Sequence, residues 1–310
     1  MSRPGADQAG VPDWLERALA ITPEHRDVDV QGARIHYRVW GKPALPGLVL
    51  VHGGAAHSGW WDHIAPQLHT HRVVALDLSG HGDSDRRNSY DMQMWAREVV
   101  GVAAAEGLDR PVVLGHSMGG WVALTTGVEH AEAVSAVAVI DSPLDRQPPE
   151  EERLRDRRRP HRPYPTAEEA IAHFRTLPAQ DVVLPYVREH IARGSLRQDD
   201  DGWTWKFDPN LSGQRPLLAQ LLPQLRGPVA LFRSEKGLVS PQMASEMTGL
   251  VAGRLPVVDL PDAGRHPMLD QPLAPCDGGT HAARSMARGG NAGSRLRPRS
   301  RMVVPAGACG

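Results

Sequence analysis

The chain has 310 residues, enough for one large domain with a sizeable buried core. Its 35 Lys and Arg offset 36 Asp and Glu, a formal net charge of −1, so no global field draws it to nucleic acid or to a membrane surface. Its two cysteines, Cys276 and Cys309, lie near the C-terminal end, the first residues lack the apolar core of a signal peptide, and no run reaches the length of a membrane span; the reading is a cytoplasmic protein with no disulfide framework.

In chain order, residues 1–24 read as a leader followed by a short helix over 13–20 with Asp13 as its cap. Alternating runs at 25–30 and 33–40, joined at Gln31-Gly32, predict a hairpin. Short apolar runs follow at 47–51, 72–77, 111–114, 134–140, 228–232 and 255–260. Runs of this kind, bounded by turn residues, suit strands buried on both faces of a parallel sheet. Helical patterns lie between them at 60–68, 90–106, 118–130 and 241–251. The alternation predicts an α/β layered core over 25–142 and 226–274. Residues 143–225 carry no comparable strand signal and are expected to form a helical cap over the sheet, with Trp203 and Trp205 as its aromatic filling and Trp203 as a candidate substrate contact. Residues 275–310, with repeated Gly-Gly, many arginines and no apolar period, predict an irregular, disordered tail.

The chemistry gathers around Gly115-His116-Ser117-Met118-Gly119, which follows the apolar run 111–114 and opens a helical pattern. A serine on such a strand-to-helix turn is held on a strained backbone with its hydroxyl exposed. It needs a base, and the base needs an orienting acid. The last apolar run is followed by Ala263-Gly264-Arg265-His266-Pro267, which makes His266 the candidate base. Acyl transfer also needs two N–H donors for the developing oxyanion. The Met118 amide is one candidate, at the start of its helix; Gly54, in the loop His52-Gly53-Gly54-Ala55, is the other, with Ala55 in reserve. The histidines are scattered without metal-ligand spacing, and the Gly53-Gly54 loop lacks the residues of a phosphate loop or dinucleotide fingerprint, so neither metal nor cofactor is expected.

These residues resemble the α/β-hydrolase fold family. The resemblance rests on His52-Gly53 followed by Trp60, on Asp77-Leu78-Ser79-Gly80-His81-Gly82-Asp83-Ser84, on 115–120, and on 264–270, and it spans about residues 25–274. It implies a mostly parallel central sheet flanked by helices with an inserted cap, and a Ser, acid, His order along the chain. It also places Trp60 near the substrate. The family's common acid position follows the run 228–232, but here the loop reads Arg233-Ser234-Glu235-Lys236-Gly237, with Gly237 where an aspartate is expected. A family variant takes the acid one strand earlier, which points to Asp141; Glu235 is the reserve. Epoxide hydrolases and haloalkane dehalogenases share the fold but attack with aspartate, where this chain has Ser117. The implied activity is cofactor-free hydrolysis of a small carboxylic ester or lactone. A C–C bond hydrolase with the same triad, or a catalytically weak binding protein on the scaffold, is the alternative.

Overall fold

The computed structural model describes residues 11–144, 163–176, 179–211 and 218–272. The tail 275–310 and the charged block within 145–162 lie outside the described residues.

An eight-stranded sheet forms the centre. Its strands are β1 Glu24–Val30, β2 Ala33–Trp40, β3 Gly47–Val51, β4 Arg72–Leu76, β5 Val112–His116, β6 Ala136–Ile140, β9 Val229–Lys236 and β10 Val257–Gly264, in the order β1-β2-β4-β3-β5-β6-β9-β10. Only β2 runs against its neighbours; the β4, β3, β5, β6, β9 and β10 pairings are all parallel. The inner strands β3 to β6 read as continuous apolar runs because both of their faces are covered. A short helix, α1 Asp13–Leu19, precedes the sheet. Along β3, Val49 and Val51 join one core cluster, with Trp95, Val99 and Leu124 of the helices α2 Met92–Ala105 and α3 Met118–Glu129. Leu48 and Leu50 join the other, with Trp60, Trp61 and Met268. The two-residue period therefore divides one strand between two cores.

Local chemistry sets the helix starts. Asp91 caps α2 by accepting from the Met94 N–H at 2.6 Å. Ser240 does the same for a later helix, Pro241–Leu250, whose first residue is a proline that needs no donor. The helix predicted over 60–68 is instead two short 3-10 turns, Ser58–Trp61 and Ala65–Gln67. Pro66 lacks the N–H that a continuing helix would use, and the buried Trp60 and Trp61 must be packed at once.

Between β6 and β9 the chain leaves the sheet. The described part of that stretch contains the helices α4 Ala167–Ala172 and α5 Pro185–Gly194, and also a hairpin of β7 Leu196–Asp199 and β8 Gly202–Trp205. The insertion expected to be helical thus carries helices and a hairpin as well. Asp199-Asp200-Asp201-Gly202 is a turn signal, and Gly202 takes φ +130, where the Tyr164 carbonyl would be 2.6 Å from any Cβ. Val187, Ile191 and Ala192 of α5 bury into the same cluster as Trp60 and Leu269. The Leu184 N–H donates to the Leu269 carbonyl at 2.9 Å, which ties the insertion to the loop after β10.

Candidate active site

Ser117 stands where β5 ends and α3 begins, at φ 55 and ψ −118. For a residue with a Cβ this is strained, by about 1–3 kcal/mol. The turn is held by the Ser117 N–H on the Ile140 carbonyl and by the Gly120 N–H on the Ser117 carbonyl, each at 3.0 Å. A side chain at Gly115 would strike the Gly119 carbonyl, and one at Gly119 would strike the His52 and Val51 carbonyls. The hydroxyl therefore projects from an over-determined turn and remains half-buried beside the α3 N-terminus.

The loop after β3 lies against this turn. A Cβ on Gly54 would sit 3.6 Å from Met118 Sδ, so the two candidate oxyanion donors belong to adjoining segments. Ala55, the reserve, is exposed at φ 57. Buried His52 fixes the loop: its Nδ1 donates to the Gly53 carbonyl at 2.7 Å, and its Nε2 accepts from the Leu78 N–H at 3.1 Å. Burial keeps this imidazole neutral by lowering its pKa.

Asp141 occupies the tip of β6, fully buried, at φ 43. Its carboxylate accepts from the Leu238 and Val239 N–H groups at 3.0 Å each. Glu235 is exposed and accepts from the Asp262 N–H at 2.8 Å, on the outer side of β9 and β10. Of the two candidate acids, the fold brings only Asp141 into the neighbourhood of Ser117.

The partner it meets there is Arg265. Its Nη1 donates to Asp141 Oδ2 at 2.6 Å and to the Asp141 carbonyl, while its Nη2 donates to Ser117 Oγ. The guanidinium bridges serine and aspartate, the place in which sequence reasoning expects His266. The imidazole of His266 is turned into the core instead. It packs edge-on against Trp60, ring centroids 5.7 Å apart, and against His116 at 5.2 Å. Its Nδ1 is buried without a hydrogen-bond partner. Burial first, and the adjacent Arg265 charge second, push its pKa down to about 3. The loop's own bonds explain the orientation. His116 Nε2 donates to the Arg265 carbonyl at 3.0 Å, the His266 N–H donates to Gln180 Oε1 at 2.7 Å, and the Gly264 N–H donates to Asp270 Oδ2 at 2.6 Å. Sequence reasoning missed Arg265, His116 and Gln180. Arg265 was visible as the neighbour of the chosen histidine, but which of two adjacent side chains turns inward is a matter of backbone path.

Trp60 is buried between His266 and Phe174. Trp203 is half-buried in β8, its backbone paired both ways with Tyr164 at 2.8 Å. A serine-histidine contact lies elsewhere, His57 Nε2 to Ser195 Oγ at 2.9 Å. Its geometry is structural. His57 Nδ1 accepts from the Gly59 N–H, so Nε2 carries the proton and donates, and the Ser195 hydroxyl in turn donates to the Ile191 carbonyl at 2.7 Å. Burial lowers the His57 pKa to about 4, in keeping with a neutral ring.

Among the described residues one set of potential metal ligands, His36, Asp77 and Asp83, lies within 4.8 Å. Asp77 already accepts from Ser58 N–H at 2.6 Å, Asp83 N–H at 2.9 Å and His36 Nδ1 at 2.9 Å. Asp83 also pairs with Lys206 at 2.7 Å. The set is a satisfied buttress that joins β2, β4 and the turn at Gly80–Gly82. No helix among the described residues is long and apolar enough to cross a membrane.

A family profile described as the alpha/beta hydrolase family matches residues 48–276. Epoxide hydrolase A of Mycobacterium tuberculosis is 33% identical over 126 residues, 39% of each chain. The monoacylglycerol lipase of Mycolicibacterium smegmatis is 36% identical over 126 residues, 37% of this chain and 45% of its own. The chain thus spans less than half the length of these curated relatives. Among solved structures, E-2-(acetamidomethylene)succinate hydrolase superposes with a TM-score of 0.75 at 20% identity, covering 84% of this chain and 99% of the other. At that identity the likeness is one of fold.

Proposed function

Because the chain belongs to the alpha/beta hydrolase family and is a hydrolase by that membership, we propose that it cleaves a small carboxylic ester or lactone through Ser117. The observation that carries this reading is Ser117 itself, a strained serine at the head of α3 with the Gly54 loop against Met118. Ser117 Oγ attacks the carbonyl carbon and its proton passes to a base. The carbonyl oxygen becomes an oxyanion held by the Gly54 and Met118 amides. The protonated base then gives its proton to the leaving alkoxide, and water attacks the acyl-serine by the same route. His266 follows Arg265 directly on the loop after β10, and it acts as the base only when its ring and the Arg265 side chain exchange places. Asp141 then orients it, and Trp60 walls the acyl side. Trp203 is kept as a substrate contact only if the insertion forms a cap over Ser117.

A second reading, a catalytically weak binder on the hydrolase scaffold, is favoured by one observation: among the described residues, the hydrogen-bond partner of Ser117 Oγ is a guanidinium. Hydrolysis of short-chain p-nitrophenyl esters and of a lactone separates the two. Turnover that vanishes in Ser117→Ala supports the enzyme; rates equal in wild type and Ser117→Ala across acyl lengths exclude it.

A further inference from the structure

Arg265 is a buried side chain with 8% of its surface exposed, and its carboxylate partner Asp141 has none. Its two terminal nitrogens touch the two groups that a catalytic imidazole would touch with its two ring nitrogens: Ser117 Oγ on one side and Asp141 Oδ2 on the other. The substitution is not neutral chemically. A guanidinium has five donors, no acceptor, and does not release a proton in proteins. It can hold Ser117 Oγ, but it cannot take the hydroxyl proton. The contact also leaves no room for an imidazole on that side of Oγ. Three bonds keep the loop in this register: His116 to the Arg265 carbonyl, Gln180 to the His266 N–H and Asp270 to the Gly264 N–H. His266 remains in a buried apolar niche where its proton affinity is depressed. An effective base has a pKa near the working pH.

We propose that Arg265 is the residue that limits this site: it fills the proton acceptor's place between Ser117 and Asp141, so that the resting chain presents a nucleophile without a base, and an imidazole put in its place supplies one. The proposal rests on the reading of Ser117 as nucleophile. It makes the slow step the removal of the Oγ proton, which has no acceptor while the guanidinium stays. With an imidazole there, that proton moves to the ring as the Oγ–C bond forms, and from the ring to the leaving alkoxide as the ester C–O bond breaks.

The test is hydrolysis of p-nitrophenyl acetate by wild type, Ser117→Ala, Arg265→His and Arg265→Ala, with folding checked by circular dichroism. Arg265→His is expected to raise the Ser117-dependent kcat/KM by about 10²–10⁴-fold, the usual yield of general base catalysis. It should also add an acid limb to the pH profile that wild type lacks. Because a histidine is shorter than an arginine, Arg265→Ala assayed with added imidazole provides a second measure. Its rate should rise with imidazole and saturate, and this saturable gain should be lost in the double variant with Ser117→Ala. If folded Arg265→His is no faster than wild type and imidazole gives Arg265→Ala no Ser117-dependent gain, the proposal is overturned. Fast, Ser117-dependent wild-type turnover that Arg265→His lowers would overturn it too, while leaving Ser117 as the nucleophile. Absence of any Ser117-dependent rate in all variants would remove both.

Discussion

Gly237 and Asp141 occupy one space: a Cβ on Gly237 would land on the Asp141 carboxylate. The residue after β9 is small because the Asp141 side chain, reaching over from the tip of β6, fills the space a side chain would need. The backbone after Gly237 then turns its Leu238 and Val239 N–H groups onto that carboxylate. The two features that look like a lost acid in the sequence, a glycine where an aspartate is expected and an aspartate one strand early, are one arrangement in space.

Asp141 is then a structural charge as well as a candidate catalytic one. Removing one partner of a buried ion pair strands the other, at a cost of about 3–5 kcal/mol. Asp141→Asn is expected to lower the unfolding free energy by about that amount in urea titrations, because Arg265 keeps its charge. Glu235→Gln, at an exposed position, should stay within about 0.5 kcal/mol of wild type. Equal stability of the two variants would contradict the buried pairing.

Ser195 and Ser117 are predicted to behave oppositely. Ser195→Ala removes the acceptor of the His57 Nε2–H and a bond to the Ile191 carbonyl, and should cost about 1–3 kcal/mol through the donor it leaves buried and unpaired. It should not abolish ester hydrolysis. Ser117→Ala should abolish it with little change in melting temperature, since alanine keeps both the Cβ and the strained φ of the turn. Steady-state rates with thermal melts of both variants decide this.

Acid should weaken the fold well before carboxylates are neutralised. Burial lowers the pKa to about 4 at His57 and His63 and to about 3 at His81 and His266. Between those values and the ordinary histidine value of about 6.5 the unfolded chain binds more protons than the folded one. This contribution is therefore complete above about pH 6.5 and is lost as pH falls, at up to about 1.4 kcal/mol per pH unit for each such ring. Urea midpoints should hold nearly level from pH 7.5 to about pH 6.5 and fall from there to pH 5, and a flat profile throughout would show that these rings are protonated or exposed.

Much of the fold was legible because its signals are local. The apolar runs of β3 to β6 declare strands covered on both faces, and the glycines flanking Ser117 declare a turn that admits no Cβ. Legibility failed where two neighbours compete or where a segment depends on its surroundings. Residues 60–68 have helix-like spacing, yet the chain there forms two 3-10 turns, Ser58–Trp61 and Ala65–Gln67, around buried tryptophans. The hairpin of β7 and β8 carries a turn signal in Asp199–Gly202, but it is surrounded by helical stretches and is anchored by Tyr164 from elsewhere in the insertion.

The sequence alone determined the layered α/β core and the placement of Ser117 on a strand-to-helix turn, since both follow from the spacing of apolar, glycine and serine residues along a short length of chain; the family entered there as a resemblance of motifs. Only the tertiary structure decided which acid stands beside the serine and which side chain of Arg265-His266 points at it. Asp141 and Ser117 are brought together by strand order, and Arg265 is turned inward by bonds from His116 and Asp270 to the backbone on either side of it. Adjacent residues at the end of a strand leave on opposite sides, so a change in backbone path that leaves the sequence pattern intact exchanges a base for a cation.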